Sequence, residues 1–155
     1  MQFSTREDIE IPIEQVFAEL SKTDVFVRTA IRRGIDVKRV NLGDEYGVGA
    51  SWDARFVMRG KPRNLTIQLA THDSPNTLAF TGDSQGLTTR LTLDLIALSP
   101  RRTRMGVVLN LAPKTLPARL FIQSVKLAKS NLTKRFKLRV AEYAKTLEDR
   151  YLRIS

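Results

Sequence analysis

One histidine, His72, and no cysteine limit the chemistry open to this 155-residue chain. Thiolate chemistry and disulfides are closed to it. One imidazole without a thiol makes a zinc site a poor expectation. A Ser-His-Asp arrangement needs His72 turned inward beside a serine. His72 instead shares the parity of the polar residues on its segment and precedes Asp73 and a turn, so exposure is expected. Gly47-Val48-Gly49 runs into an alternating segment rather than a helix, which makes it a turn and not a phosphate loop. Proton transfer at a substrate carbonyl requires an acid or base within a pocket. Glu7, Tyr143 and Asn110 are the thin candidates for that role. No catalytic residue, metal or cofactor is assigned.

Two charges interrupt apolar patterns. Glu7 has the parity of Ile9 and Ile11, and Arg139 lies between Phe136 and Tyr143 on a helical stripe. A charge turned into apolar space is costly unless paired. Either Arg139 fixes an anionic head group or pairs with Glu7, or it sits at the edge of the stripe and reaches water.

The elements that must carry these residues are legible as alternation and helical spacing. Residues 2–11 read as a strand. Pro12 suits a first helical turn, and Val16, Phe17 and Leu20 follow at helical spacing. Thr23-Asp24 caps a second short helix with Val27 and Ile31 on one side, ended by Gly34. Segments 35–42 and 49–58, then runs around Leu65–Leu69, Leu78–Phe80, Leu87–Leu95 and Met105–Leu111, read as strands joined by short turns. The last helix is expected to run unbroken from about Leu116 to Tyr151. Its apolar stripe is Phe121, Val125, Leu132, Phe136, Val140, Tyr143 and Leu147. Short loops imply antiparallel hairpins with one buried face. No linker or repeat divides residues 1–155, so a single α+β domain is expected.

The formal charge of +10 is unevenly placed. Residues 1–100 hold 12 Lys/Arg against 13 Asp/Glu, whereas residues 101–155 hold 14 against 3. The N-terminal MQFSTREDIEI mixes charges where a signal peptide needs an apolar run. No stretch approaches the roughly 20 apolar residues of a membrane span. A cytoplasmic protein is expected.

The order strand, helix pair, six-strand meander and long helix resembles the START-like (SRPBCC, polyketide cyclase-like) superfamily over nearly the whole chain. Its most similar segments are Ile9-Glu10-Ile11-Pro12-Ile13-Glu14-Gln15-Val16-Phe17 and Gly47-Val48-Gly49-Ala50-Ser51-Trp52. The resemblance implies a helix-grip fold, in which a seven-stranded curved antiparallel sheet wraps a C-terminal helix and encloses a cavity. It also implies an apolar or amphipathic guest, lipid-like or polyketide-like. The superfamily shares no catalytic set, so no catalytic residue is carried over. Strand parity gives the expected ligand-binding lining as Trp52, Phe56, Ile67, Leu69, Leu78, Phe80, Leu91, Leu93, Met105, Val107 and Leu109, with Phe136, Arg139 and Tyr143 from the helix. The same side chains would also suit a packed core.

On an unbroken final helix, Leu120, Leu127 and Leu138 point away from the main stripe, near Lys126, Lys134, Lys137 and Lys145. Leucines among lysines suit an anionic membrane surface or a second subunit. A break near Ser130-Asn131 would instead return them to the core. Nucleic acid fits less well, because the basic turns at 59–63 and 99–104 belong at opposite ends of the meander and lack aromatics for stacking. The expectation is a monomeric or homodimeric binder or carrier of a hydrophobic small molecule. A cyclase-type enzyme and a charge-driven anionic-surface binder with a filled core are the alternatives.

Overall fold

The computed structural model describes residues 1–154. Its first strand, β1 (Gln2–Ile9), leads through α1 (Ile13–Leu20) and α2 (Thr23–Arg32) into six further strands. These are β2 (Asp36–Asn41), β3 (Ser51–Met58), β4 (Lys61–Asp73), β5 (Thr77–Ser84), β6 (Leu87–Ser99) and β7 (Arg102–Pro113). Two helices follow, α3 (Leu116–Leu127) and α4 (Lys129–Ile154). All seven strands form one antiparallel sheet in the order β1-β7-β6-β5-β4-β3-β2. Because β1 and β2 are the two edges, α1 and α2 must carry the chain across the whole width of the sheet. This is the expected α+β helix-grip architecture.

The two crossing helices are anchored very differently. In α1 the apolar residues Ile13, Val16, Phe17 and Leu20 recur at one helical face, and all four are buried. Each contributes about 1.5–3 kcal/mol by leaving water. They join Ile9, Ile11, Leu69, Leu78, Leu95 and Met105 in the solid part of the core. In α2 no residue is buried. Its apolar face, Phe26, Val27 and Ala30, looks onto open space beneath it. Ile31, expected beside Val27, is instead half exposed at 51%.

The final helix is not continuous: it breaks at Ala128, two residues before Ser130-Asn131, near which the alternative reading placed a break. Thr115 caps α3 by accepting from the Ala118 amide at 3.3 Å, and Pro117 sits in its first turn. At the other end the Ala128 amide bonds back to Val125, and α4 starts again with Leu132 bonding to Ala128. Each helix therefore buries its own face: Ala118, Ile122 and Val125 on α3, Ala144 and Leu147 on α4. The break does not return the leucines to the core. Leu120, Leu127 and Leu138 remain exposed, Leu127 at 90%.

A second departure concerns β4. Its register against β5 slips between Leu69 and Thr71, so Leu69 pairs with Phe80 but His72 pairs with Leu78. A bulge inserts one residue and reverses side-chain parity beyond it. His72 therefore turns to the inner face, contrary to the exposure expected from uninterrupted alternation. At Gly82 a Cβ would lie 2.5 Å from Thr89 Oγ1, so the inner floor there accepts only glycine without rearrangement. Among the described residues no helix is long and apolar enough to cross a membrane.

Candidate functional site

Between the inner face of the sheet, α2 and α4 lies a cavity of about 630 Å³. Its floor is the alternating inward set of β3 to β7: Trp52, Ala54, Phe56, Leu65, Ile67, Phe80, Leu91, Leu93, Met105, Val107 and Leu109. Phe136, Arg139, Val140 and Tyr143 of α4 form one wall, and Phe26, Val27 and Ala30 of α2 with Ile35 and Val37 form another. The sheet thus holds open space where the alternative reading required packed side chains. Its size lies within the range of ordinary small-molecule sites.

Most of the expected lining borders this cavity, namely Trp52, Phe56, Ile67, Phe80, Leu91, Leu93, Met105, Val107, Leu109, Phe136, Arg139 and Tyr143. Leu69 and Leu78 do not. Leu69 lies just before the β4 slip and Leu78 opposite His72 just past it; both belong to the solid core with Phe17 and Leu20 and border a smaller chamber instead. The α2 wall was missed in the sequence reading. Its signal was there, since Thr23, Phe26, Val27 and Ala30 stand at i, i+3, i+4 and i+7. Leu65 was missed as well, although it shares the parity of Ile67.

The polar side chains at the cavity are few. Tyr143 rests its ring against Phe26, 5.6 Å between centroids, and so joins α4 to α2 above the cavity. Burial pushes its hydroxyl far above the ordinary tyrosine value; nearby Glu19 adds to this and Arg150 opposes it. The group is a neutral hydrogen-bonding tip at any physiological pH. Arg139 borders the cavity yet is exposed overall, with its stem along apolar surface. Among the described residues it makes no ion pair, so of the two readings the edge position reaching water fits and the pairing with Glu7 is absent. Glu7 lies outside the cavity lining. Asn110 is exposed and falls on the outer face, because β7 points its odd-numbered residues inward.

A smaller chamber of about 90 Å³ adjoins the first and shares Thr23, Trp52 and Phe80 with it. Here the lining is largely polar: Ser21, Thr23, Arg39, Tyr46 and His72. His72 is held edge-on to Phe17 at 5.0 Å and stacked on Tyr46 at 5.8 Å. Arg39, on the edge strand β2 and itself exposed, stands opposite Trp52 at the rim of the chamber and lies over its indole at 5.4 Å. Ser21 shares the chamber with His72, but its hydroxyl donates to the Phe17 carbonyl at 2.8 Å. No carboxylate lines the chamber, so no nucleophile–base–acid relay is assembled. Among the described residues no three His, Asp or Glu side chains gather as a metal site.

On the outer surface, the basic turn near residue 100 is partly neutralised. Arg104 Nε meets Asp8 at 2.9 Å, and Arg102 meets Asp8 at 3.4 Å and Glu10 at 3.0 Å. The hydrogen bond from Arg104 holds the Asp8 carboxyl below its ordinary value, with the charges of Arg104, Arg102 and Arg6 assisting against desolvation. On α3 and the first part of α4, among the described residues, the lysines make no ion pair. Lys126, Lys134, Lys137 and Lys145 are all exposed, and no acid interrupts the chain between Lys114 and Arg139.

No protein-family model matches the sequence, and no curated protein does so either. Solved structures share the fold. An aromatase/cyclase, Zhui from Streptomyces sp. R1128, superposes with a TM-score of 0.64 at 14% identity, covering 100% of this chain and 96% of that one. A START superfamily protein from Mycobacterium smegmatis gives 0.62 at 13% identity, covering 99% of both chains. Ara h 8.0201 gives 0.58 at 19% identity, covering 98% and 97%. The helix-grip fold expected from the order of elements is therefore the fold of this chain.

Proposed function

We propose that this protein binds a hydrophobic or amphipathic small molecule in the cavity between the sheet, α2 and α4. The observation that carries this is open space of about 630 Å³ lined almost wholly by apolar side chains. An apolar guest entering it releases water from both surfaces, worth roughly 25 cal/mol per Å² of apolar area buried. The arrangement of α2 supports the same reading, because this helix turns an apolar face to the cavity and no residue of it is fully buried. The residues proposed to touch the guest are the cavity-lining set above, with Arg139 and Tyr143 as polar contacts. Native mass spectrometry of the freshly purified protein, followed by solvent extraction, tests the reading. A co-purifying molecule released by solvent is expected. An empty protein that also fails to bind a neutral apolar fluorophore would overturn it.

The exposed leucines favour a second, compatible reading, in which the outer face of α3 and α4 docks on an anionic membrane. Leu120, Leu127 and Leu138 would enter the interface while Lys126, Lys134, Lys137 and Lys145 meet lipid phosphates. Co-sedimentation with vesicles containing a third phosphatidylglycerol should exceed that with neutral vesicles and weaken with salt. Equal sedimentation with both would remove this docking, and a concentration-dependent dimer lost on Leu127→Lys would assign the leucines to a second subunit. A cytoplasmic setting fits a chain without cysteine. A cyclase activity has less support, since no carboxylate stands beside the inward-facing His72.

A further inference from the structure

The large cavity has a polar end. The small chamber adjoins it near the α1–α2 junction, and Thr23, Trp52 and Phe80 line both. Its volume of about 90 Å³ is small. That suits a small polar group such as a carboxylate.

Its donors are suited to the same group. A guanidinium carries five N–H donors. Arg39 spends two of them, Nε on the Asn41 carbonyl at 3.4 Å and Nη2 on the Leu42 carbonyl at 3.1 Å. Those bonds and the indole of Trp52 fix its plane and leave the remaining N–H groups for a guest. Among the described residues Arg39 makes no ion pair, and no Asp or Glu lines the chamber to compete for it. The Thr23 hydroxyl makes no hydrogen bond to the described residues. His72, pinned between Phe17 and Tyr46, adds an imidazole to the same wall.

We infer that this chamber is the head-group subsite of the cavity and receives the carboxylate of a long-chain or polycyclic acid whose apolar body lies past Phe80 in the larger space. The inference rests on the proposed binding function and adds the chemistry and orientation of the guest. Arg39 binds the carboxylate by charge-assisted hydrogen bonds, Thr23 donates to it, and Trp52 lies where body and head meet.

The test separates the subsite from the cavity. The neutral fluorophore N-phenyl-1-naphthylamine reports the cavity alone, and dodecanoate and methyl dodecanoate compete for it below their aggregation limits. The acid should displace the probe at least about tenfold better than the ester, the worth of one charge-assisted hydrogen bond. Arg39→Met should abolish that preference with probe affinity unchanged, and Thr23→Val, at a residue that also borders the probe's cavity, should reduce the ratio of acid to ester affinity. Trp52, the only tryptophan, should change its emission with the acid in wild type. If the probe binds but acid and ester compete equally, the subsite is wrong and the cavity stands. If the preference survives Arg39→Met and disappears in Arg139→Met, the head group sits at α4 and the inference is overturned. If the probe does not bind wild type at all, the cavity reading falls and takes the subsite with it. Thr23→Val, a near-isosteric change at the start of α2, keeps the test decisive should Arg39→Met fold poorly.

Discussion

Whether the sheet encloses space or solid packing has a consequence of opposite sign for one substitution, Ala54→Ile. Ala54 stands on β3 between Trp52 and Phe56, faces inward and borders the cavity. Isoleucine adds three carbons and suits a strand. In a close-packed core, added methylenes force neighbours off their rotamers and cost about 1–3 kcal/mol. Projected into about 630 Å³ of apolar space, the same atoms are buried without displacing anything, at about 0.8 kcal/mol for each carbon, or about 2 kcal/mol in all. For a chain of this length about 2 kcal/mol raises the melting temperature by roughly 4–8 °C. Urea unfolding monitored by circular dichroism should give a higher midpoint with an unchanged slope. Affinity for a bulky apolar probe should fall in the same variant, because the added side chain occupies the guest's space. A loss of 1 kcal/mol or more in stability, with probe binding unaltered, would refute the hollow sheet and the function built on it.

Other perturbations probe separate parts of the structure. Thr103 is fully buried and its hydroxyl donates to the Ile11 carbonyl at 2.7 Å. Thr103→Val leaves that carbonyl short of a partner and should cost about 1–3 kcal/mol in urea unfolding, and a cost near zero would show the bond to be dispensable. Asp8 has a folded-state value below its ordinary 3.8, so its stabilisation is complete well above that pH and is lost as pH falls through the lower folded value. Asp8→Asn should therefore flatten the acid limb of a stability–pH curve, and an unchanged limb would assign acid sensitivity to other groups. Phe26→Ala removes the ring that meets Tyr143 over the cavity. Stopped-flow release of a bound probe should accelerate while global stability changes little, and an unchanged release rate would show that α2 is not the route of exchange.

The sequence is clearest where one rule operates without interruption. Period-two alternation in β3, β6 and β7 is enough to assign Trp52, Phe56, Leu91, Leu93, Met105 and Val107 to one face, because the pleat leaves them no alternative. It fails at β4, where one extra residue between Leu69 and Thr71 reverses parity and brings His72 inward. Nothing in the local composition marks that slip, since it is set by pairing with β5 across a turn. The final helix fails in a related way. Its apolar spacing fits a single stripe, yet α3 and α4 pack against different neighbours and the chain re-phases at Ala128. Ser130 and Asn131 lie in the first turn of α4, where short polar side chains are tolerated.

The same topology explains why the space exists. The first strand lies beside the last, so the helix pair has to span seven strands to begin β2 at the far edge. Eight residues of α1 settle on the sheet where β6 and β7 offer Leu95 and Met105. Past Ser21 the chain is lifted over β3 to β5, whose floor side chains are too far below α2 to fill the gap. Phe26, Val27 and Ala30 are then apolar without being buried by their own chain. A helix in that position is stabilised by whatever lies under it, so a guest should order α2 as it binds. Where that floor meets the α1–α2 junction, Arg39, Thr23 and His72 join Leu69, Leu78 and Phe80 in the lining. A molecule satisfying both regions must be apolar along its length and polar at one small end.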